Sequence, residues 1–237
     1  MLELQFIQKD PHWAKWLSEN QGERMDALCI GGAFGNRIKP IFKADRQKVH
    51  LERYTLIRAI LDAINAKSVI SLPSGTGYGE HMLGFHSCGR KVTGLEYNHK
   101  AVNYANIYHK MANVKFYQQD GTKPRNIKRA ECVVSLEGIE HVPEEDAIKF
   151  IDNFTTWSKK YMLLSFPDNW GANAHRGGHH LWNPTHESIT ELIKDRWKQL
   201  QCWIMDGSGK TWTGKQLREI SGKPVNSPCC ILLCEKI

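Results

Sequence analysis

The feature that most constrains this chain is a regular alternation of two hydrophobic periods. From Leu51 onward, segments with helical spacing take turns with short, continuous apolar runs. Leu56, Ile57, Ile60, Leu61 and Ile64 recur as on one face of a helix, and Ser68-Val69-Ile70-Ser71-Leu72 then reads as a buried strand. Further strands are predicted at Lys91–Leu95, around Val114 and Phe116, at Cys132–Leu136 and at Tyr161–Phe166. Helices are predicted through Met82, Leu83 and Phe85, through Val102, Ala105 and Tyr108 behind an Asn98 cap, and through Ile148, Ile151 and Phe154 behind Pro143. Thr185 is placed to cap one more, carrying Ile189, Leu192 and Ile193. Strands that alternate with helices form a parallel sheet covered on both faces. The last two runs, Leu200–Met205 and Cys229–Cys234, have no helix between them and predict an antiparallel hairpin at the sheet edge.

A length of 237 residues suits one α/β domain with a short extension. Residues 1–50 lack the alternation and read as an N-terminal extension or lid, leaving 51–237 as the domain. No apolar run is long enough to span a membrane, and the N-terminus lacks the pattern of a secretory signal. The seven cysteines show no CxxC pair and no disulfide-framework spacing, so reduced thiols in a cytoplasmic protein are expected and a structural zinc site is not. The net charge of +7 permits an acidic partner, but the basic residues are dispersed and do not form a stripe.

Chemistry concentrates at the ends of successive strands. Ser74-Gly75-Thr76-Gly77-Tyr78-Gly79 links the first strand of the series to a helix, where glycines allow a ligand close to the backbone. Glu96 ends the next strand, where a carboxylate can accept both hydroxyls of a ribose. Asp120 and Gly121 follow the third, where a carboxylate can accept an adenine amino group. No P-loop lysine is present, so a nucleoside is favoured over a phosphate ligand.

In that order, these segments resemble the class I S-adenosylmethionine-dependent methyltransferases. Val69 to Gly79 is similar to their first motif, Lys91 to Glu96 to their ribose-binding strand, Phe116 to Gly121 to their adenine-binding turn, and Val133 to Val142 to their fourth-strand segment. The resemblance runs from about Leu51 to the C-terminus. It implies a Rossmann-like, seven-stranded, mostly parallel sheet with helices on both faces and a C-terminal antiparallel hairpin. It also implies S-adenosylmethionine as cofactor, held by Ser71, Ser74, Gly75, Gly77, Tyr78, Glu96, Tyr97, Asp120, Gly121 and Leu136. Two positions depart from the family: Ser71 stands where an acid normally helps hold the methionine part of the cofactor, and Pro73 where a glycine is usual. An Asp at 71 is therefore expected to keep or improve cofactor affinity.

Glu137, Glu140 and His141 follow the fourth strand at i, i+3 and i+4, a spacing that suits one side of a helical turn. Two carboxylates and an imidazole can bind a divalent metal such as Mg, which would lower the pKa of an acceptor hydroxyl. The segment resembles the metal-binding stretch of the ubiquinone-pathway O-methyltransferases and of the small-RNA 2′-O-methyltransferases, which add a later histidine. His175, His179 and His180 are candidates for it, with His179 the metal-ligand choice and His175 the catalytic one. Without a metal, a histidine of this loop or His141 serves as general base. The expected activity is O-directed methyl transfer to a small hydroxylated molecule, a sugar or an RNA ribose. The competing reading is a binding protein that keeps the fold and has lost the activity, on the strength of Ser71. A nicotinamide dehydrogenase fits less well, since Gly75, Gly77 and Gly79 are spaced G-x-G-x-G and not G-x-G-x-x-G.

Overall fold

The computed structural model describes residues 27–30, 37–40, 44–85, 89–168, 180–205, 211–213 and 229–237. The chain divides into two compact units, Met1–Gln119 and Asp120–Ile237.

In the first unit a short antiparallel pair, β1 (Ala27–Ile30) and β2 (Arg37–Pro40), precedes helix α1 (Ala44–Ala63). That helix starts well before Leu51, because its first turns, Ala44-Asp45-Arg46-Gln47-Lys48, are polar and carry no apolar period to read. Leu56, Ile57, Ile60 and Leu61 are fully buried, as their spacing predicts. Three parallel strands follow in the spatial order β5–β4–β3: β3 (Ser68–Ser71), β4 (Lys91–Glu96) and β5 (Val114–Gln118). Helix α2 (Tyr78–Gly84) joins β3 to β4 and α3 (His99–Tyr108) joins β4 to β5. Asn98 caps α3 as expected, its side chain accepting the N–H groups of Lys100 at 2.9 Å and Ala101 at 3.4 Å.

The second unit carries the order β6–β7–β10–β8, with β9 (Thr211–Thr213) beyond β8. β6 (Ala130–Leu136) pairs parallel with β7 (Ser158–Pro167), and β10 (Cys229–Lys236) runs antiparallel between β7 and β8 (Trp197–Met205). β6 and β10 are buried almost throughout, which explains why both read as unbroken apolar runs. Helix α4 (Ala147–Trp157) begins one 3₁₀ turn after Pro143, through Glu144–Asp146, and α5 (His186–Ile193) begins at the Thr185 cap. The Thr185 and Ser188 side chains bond each other's backbone N–H groups in a capping box.

With three parallel strands in the first unit and five strands in the second, the Rossmann-like α/β class with antiparallel C-terminal strands is as expected, with one strand more. The addition is β9 (Thr211–Thr213), antiparallel to β8. Three residues are too few to show an alternation. The described residues of 1–50 contribute β1, β2 and the start of α1; most of the expected extension or lid lies outside the described residues.

Candidate functional site

In the first unit the site is built on the end of β3 and the turn that follows. The Ser74 N–H donates to the Leu95 carbonyl at 2.8 Å and the Gly77 N–H to the Ser74 carbonyl at 2.9 Å, so the turn folds over the end of β4. Glu96 closes it. Its carboxylate accepts the Gly75 N–H on Oε2 and the Asn98 N–H on Oε1, both at 2.9 Å. Burial pushes the Glu96 pKa up, and the backbone N–H groups of Asn98, Gly75 and Tyr97 oppose the shift. A carboxylate has about four acceptor positions. The positions that these N–H groups leave can accept a ligand hydroxyl.

The glycines of the turn serve different ends. Gly75 has a left-handed φ of 53°, and a Cβ there would meet nothing within 4 Å. This is the glycine whose open side can admit a ligand. Gly77 also has a left-handed φ, 89°, but a Cβ there would lie 2.6 Å from the Ala105 Cβ and 2.7 Å from the Phe116 ring. Internal packing already demands a glycine at 77.

Ser74 and Tyr78 are buried, Tyr78 with its ring edge-on to Tyr54 at 5.4 Å, whereas Tyr97 is exposed. Ser71 is buried at the end of β3, and its hydroxyl donates to Glu80 Oε1 at 2.7 Å. Sequence reasoning missed Glu80, because an acid in the first turn of a helix ordinarily reads as a solvated dipole partner. An aspartate at 71 would place a second carboxyl group beside that of Glu80.

In the second unit, Asp120 Oδ1 accepts the Thr122 N–H at 2.9 Å and its hydroxyl at 2.8 Å, while Asn153 donates to the Gly121 carbonyl at 2.8 Å. Leu136 ends β6 and is nearly buried. Beyond it Glu137 takes a left-handed φ of 52°. A non-glycine residue in that region carries about 1–2 kcal/mol of strain. Its carboxylate accepts the Ser165 hydroxyl at 3.0 Å and the Cys229 thiol at 3.1 Å. The chain then enters a 3₁₀ turn at Ile139–His141. The single helical side expected for Glu137, Glu140 and His141 is therefore not formed, because the backbone reverses its twist at Glu137 before the turn begins.

Glu140 and His141 come together instead with His180, their ligand atoms all lying within 4.8 Å of one another. Glu140 is fully buried, and the His141 and His180 rings meet edge to face at 5.0 Å. The segment bearing His180 is pinned to the turn: the Leu181 N–H donates to the Glu140 carbonyl at 2.8 Å, and the Trp182 indole donates to the Ile139 carbonyl at 2.7 Å. His175 and His179 lie outside the described residues. Of the three candidate histidines, His180 joins the turn, its segment tied there by the Trp182 indole, a contact with no signal in the sequence.

Comparisons with known proteins bear on the fold and on the central domain. Residues 72–160 match the family model described as a methyltransferase domain. No curated protein matches the sequence. Among solved structures, magnesium protoporphyrin IX methyltransferase from Synechocystis PCC 6803, with S-adenosylhomocysteine bound, is similar at a TM-score of 0.60 and 15% identity, covering 86% of this chain and 91% of that one. The N-methyltransferase NodS from Bradyrhizobium japonicum WM9 is similar at 0.61 and 12% identity, covering 79% and 87%. The methyltransferase domain of bacterial CtHen1 is similar at 0.59 and 17% identity, covering 79% and 99%. Residues 72–160 thus match a methyltransferase domain, and the fold is similar to that of methyltransferases solved with S-adenosylhomocysteine bound.

Proposed function

We propose that the protein transfers a methyl group from S-adenosylmethionine to the hydroxyl of an acceptor, either a small hydroxylated molecule or sugar or an RNA ribose. The observation that carries the O-directed reading is the meeting of Glu140, His141 and His180. Methyl transfer is an in-line displacement for which the protein aligns donor and acceptor and takes up a proton. A hydroxyl is a weak nucleophile at neutral pH, so it needs a base or a metal beside it, and this cluster offers either. Neutral His141 or His180 can accept the hydroxyl proton, with the Glu140 carboxylate stabilising the imidazolium that results.

The donor set also bears on a metal. One carboxylate and two imidazoles suit a borderline divalent ion such as Mn, Fe or Zn better than Mg, which prefers an all-oxygen shell. Glu140, His141 and His180 would hold it. When bound, it would lower the pKa of the acceptor hydroxyl. Glu137, engaged by Ser165 and Cys229, takes the role of bracing the turn.

The cofactor reading rests on Ser71, Ser74, Gly75, Gly77, Tyr78, Glu96 and Tyr97 in one unit and Asp120, Gly121 and Leu136 in the other. The proposal keeps a cytoplasmic location and an acceptor in solution. Among the described residues no helix is long and apolar enough to cross a membrane, and the cysteines form no disulfide.

The test is methyl transfer to a panel of catechols, sugars and short RNAs, with and without chelator. His180→Ala should lower turnover by roughly 10²–10⁴-fold, the range for loss of general-base catalysis, while cofactor affinity stays within about twofold. If chelator abolishes activity and Mn restores it, the metal form is supported. Turnover of the panel unchanged by both chelator and His180→Ala would reject the cluster as the acceptor site.

A further inference from the structure

Glu80 is a fully buried carboxylate in the first turn of α2. Its Oε1 accepts the Ser71 hydroxyl at 2.7 Å, and its Oε2, also buried, has no hydrogen-bond partner among the described residues. A buried carboxylate with an open oxygen must either carry a proton or face a cation. Glu96, the other buried acid of this turn, already uses both oxygens on backbone N–H groups. Glu80 is therefore the acid of the first unit's turn with an acceptor oxygen still to fill.

Its surroundings keep it ready for such a partner. Ser71 presents its hydroxyl from β3, and Tyr54 of α1 lies close enough for its phenol to feel the Glu80 charge. Tyr78 lies two residues earlier on the same helix, and the charge of Glu96 is felt from the end of β4. Gly79 leaves the space Tyr54 occupies, since a Cβ there would lie 1.9 Å from that ring.

We propose that Glu80, oriented by Ser71, is the acid that receives the ammonium group of the cofactor's methionine part, and that it gives up a proton when the cofactor binds. The inference rests on the cofactor reading above. Burial, the largest cause, and the Glu96 charge raise the Glu80 pKa to about 8, while the Ser71 hydroxyl and the Glu80 backbone N–H hold it back. Without ligand the side chain is thus mostly protonated at neutral pH and needs no counter-ion. An arriving ammonium stabilises the ionised form, so the O–H bond breaks, the proton leaves to buffer, and a charged pair forms in its place. Affinity then rises with pH up to about 8 and levels off above it.

The experiment is calorimetry with two probes, S-adenosylhomocysteine, which carries the ammonium, and methylthioadenosine, which lacks it. Repetition in buffers of different ionisation enthalpy counts protons. The wild type should release about one proton per S-adenosylhomocysteine at neutral pH, and none with methylthioadenosine. Glu80→Gln should abolish the release and weaken S-adenosylhomocysteine about tenfold or more, leaving methylthioadenosine within about twofold. The double variant Ser71→Asp with Glu80→Gln moves the charge back to the strand and should restore S-adenosylhomocysteine binding. If Glu80→Gln does not fold, Ser71→Ala and the wild-type proton count carry the test. Binding of neither probe to the wild type overturns the cofactor reading itself. Binding of both, with no proton release or with both weakened equally by the variant, overturns the role of Glu80 alone.

Discussion

The two units hold chemistry at their strand ends by opposite means. In the first, the turn after β3 is organised by backbone groups. Ser74 and Gly77 are tied into it through main-chain hydrogen bonds, and the Glu96 carboxylate links the turn to the start of α3. In the second, the segment after β6 is organised by side chains: Ser165 and Cys229 on Glu137, Trp182 on the Ile139 carbonyl, and a ring pair between His141 and His180. A backbone-built turn suits a ligand that never changes. A side-chain-built segment can be altered residue by residue, as a varying acceptor requires.

The largest effect that could break this contrast is expected at Gly77. Gly77→Ala adds a Cβ under 3 Å from Ala105 and Phe116 at a left-handed φ. It should cost about 3 kcal/mol or more in urea denaturation, combining overpacking with backbone strain. Gly75→Ala, with open space around it, should cost about 1–2 kcal/mol of stability, the left-handed penalty alone, and act mainly on S-adenosylhomocysteine affinity. Equal stability losses at both positions would erase the distinction between a packing glycine and a ligand-facing one.

The next effect depends on pH. Glu80 holds a proton in the folded chain that the unfolded chain releases above about 4.5, while the folded side chain keeps it up to about 8. Stability should therefore fall as pH rises across that window and level off above it, by up to about 1.4 kcal/mol per pH unit. Glu80→Gln should remove this component, read as the difference between the two unfolding profiles. Parallel profiles would mean that Glu80 does not titrate differently on folding. Glu96→Ala comes third, lowering S-adenosylhomocysteine affinity tenfold or more, about 1.4 kcal/mol. Calorimetry that finds unchanged affinity would remove Glu96 from the ligand.

The smallest effects sharpen the comparison. Asn98→Ala and Thr185→Ala each remove a helix cap, one in each unit, and each should cost about 1 kcal/mol of stability. Only Asn98 neighbours Glu96, so only Asn98→Ala should also weaken S-adenosylhomocysteine. A loss of affinity from Thr185→Ala would show that the first unit's turn does not hold its ligand independently of α5.

The sequence by itself determined the order of strands and helices, the Asn98 and Thr185 caps, and the placing of Glu96 at a strand end. These follow from hydrophobic period and local capping chemistry, which act over a few neighbouring residues. It did not show β9, too short to alternate, or the start of α1, which is polar. Only the tertiary structure decided which side chains meet. The left-handed turn at Glu137 sends that acid toward Ser165 and Cys229 and leaves Glu140 and His141 to His180, a residue far along the chain. Likewise Ser71, read alone as the loss of an acid, proves to hold one, because α2 brings Glu80 back over the end of β3. Contacts between distant residues arise from packing and have no period in the sequence, so spacing could propose the participants but not the pairs.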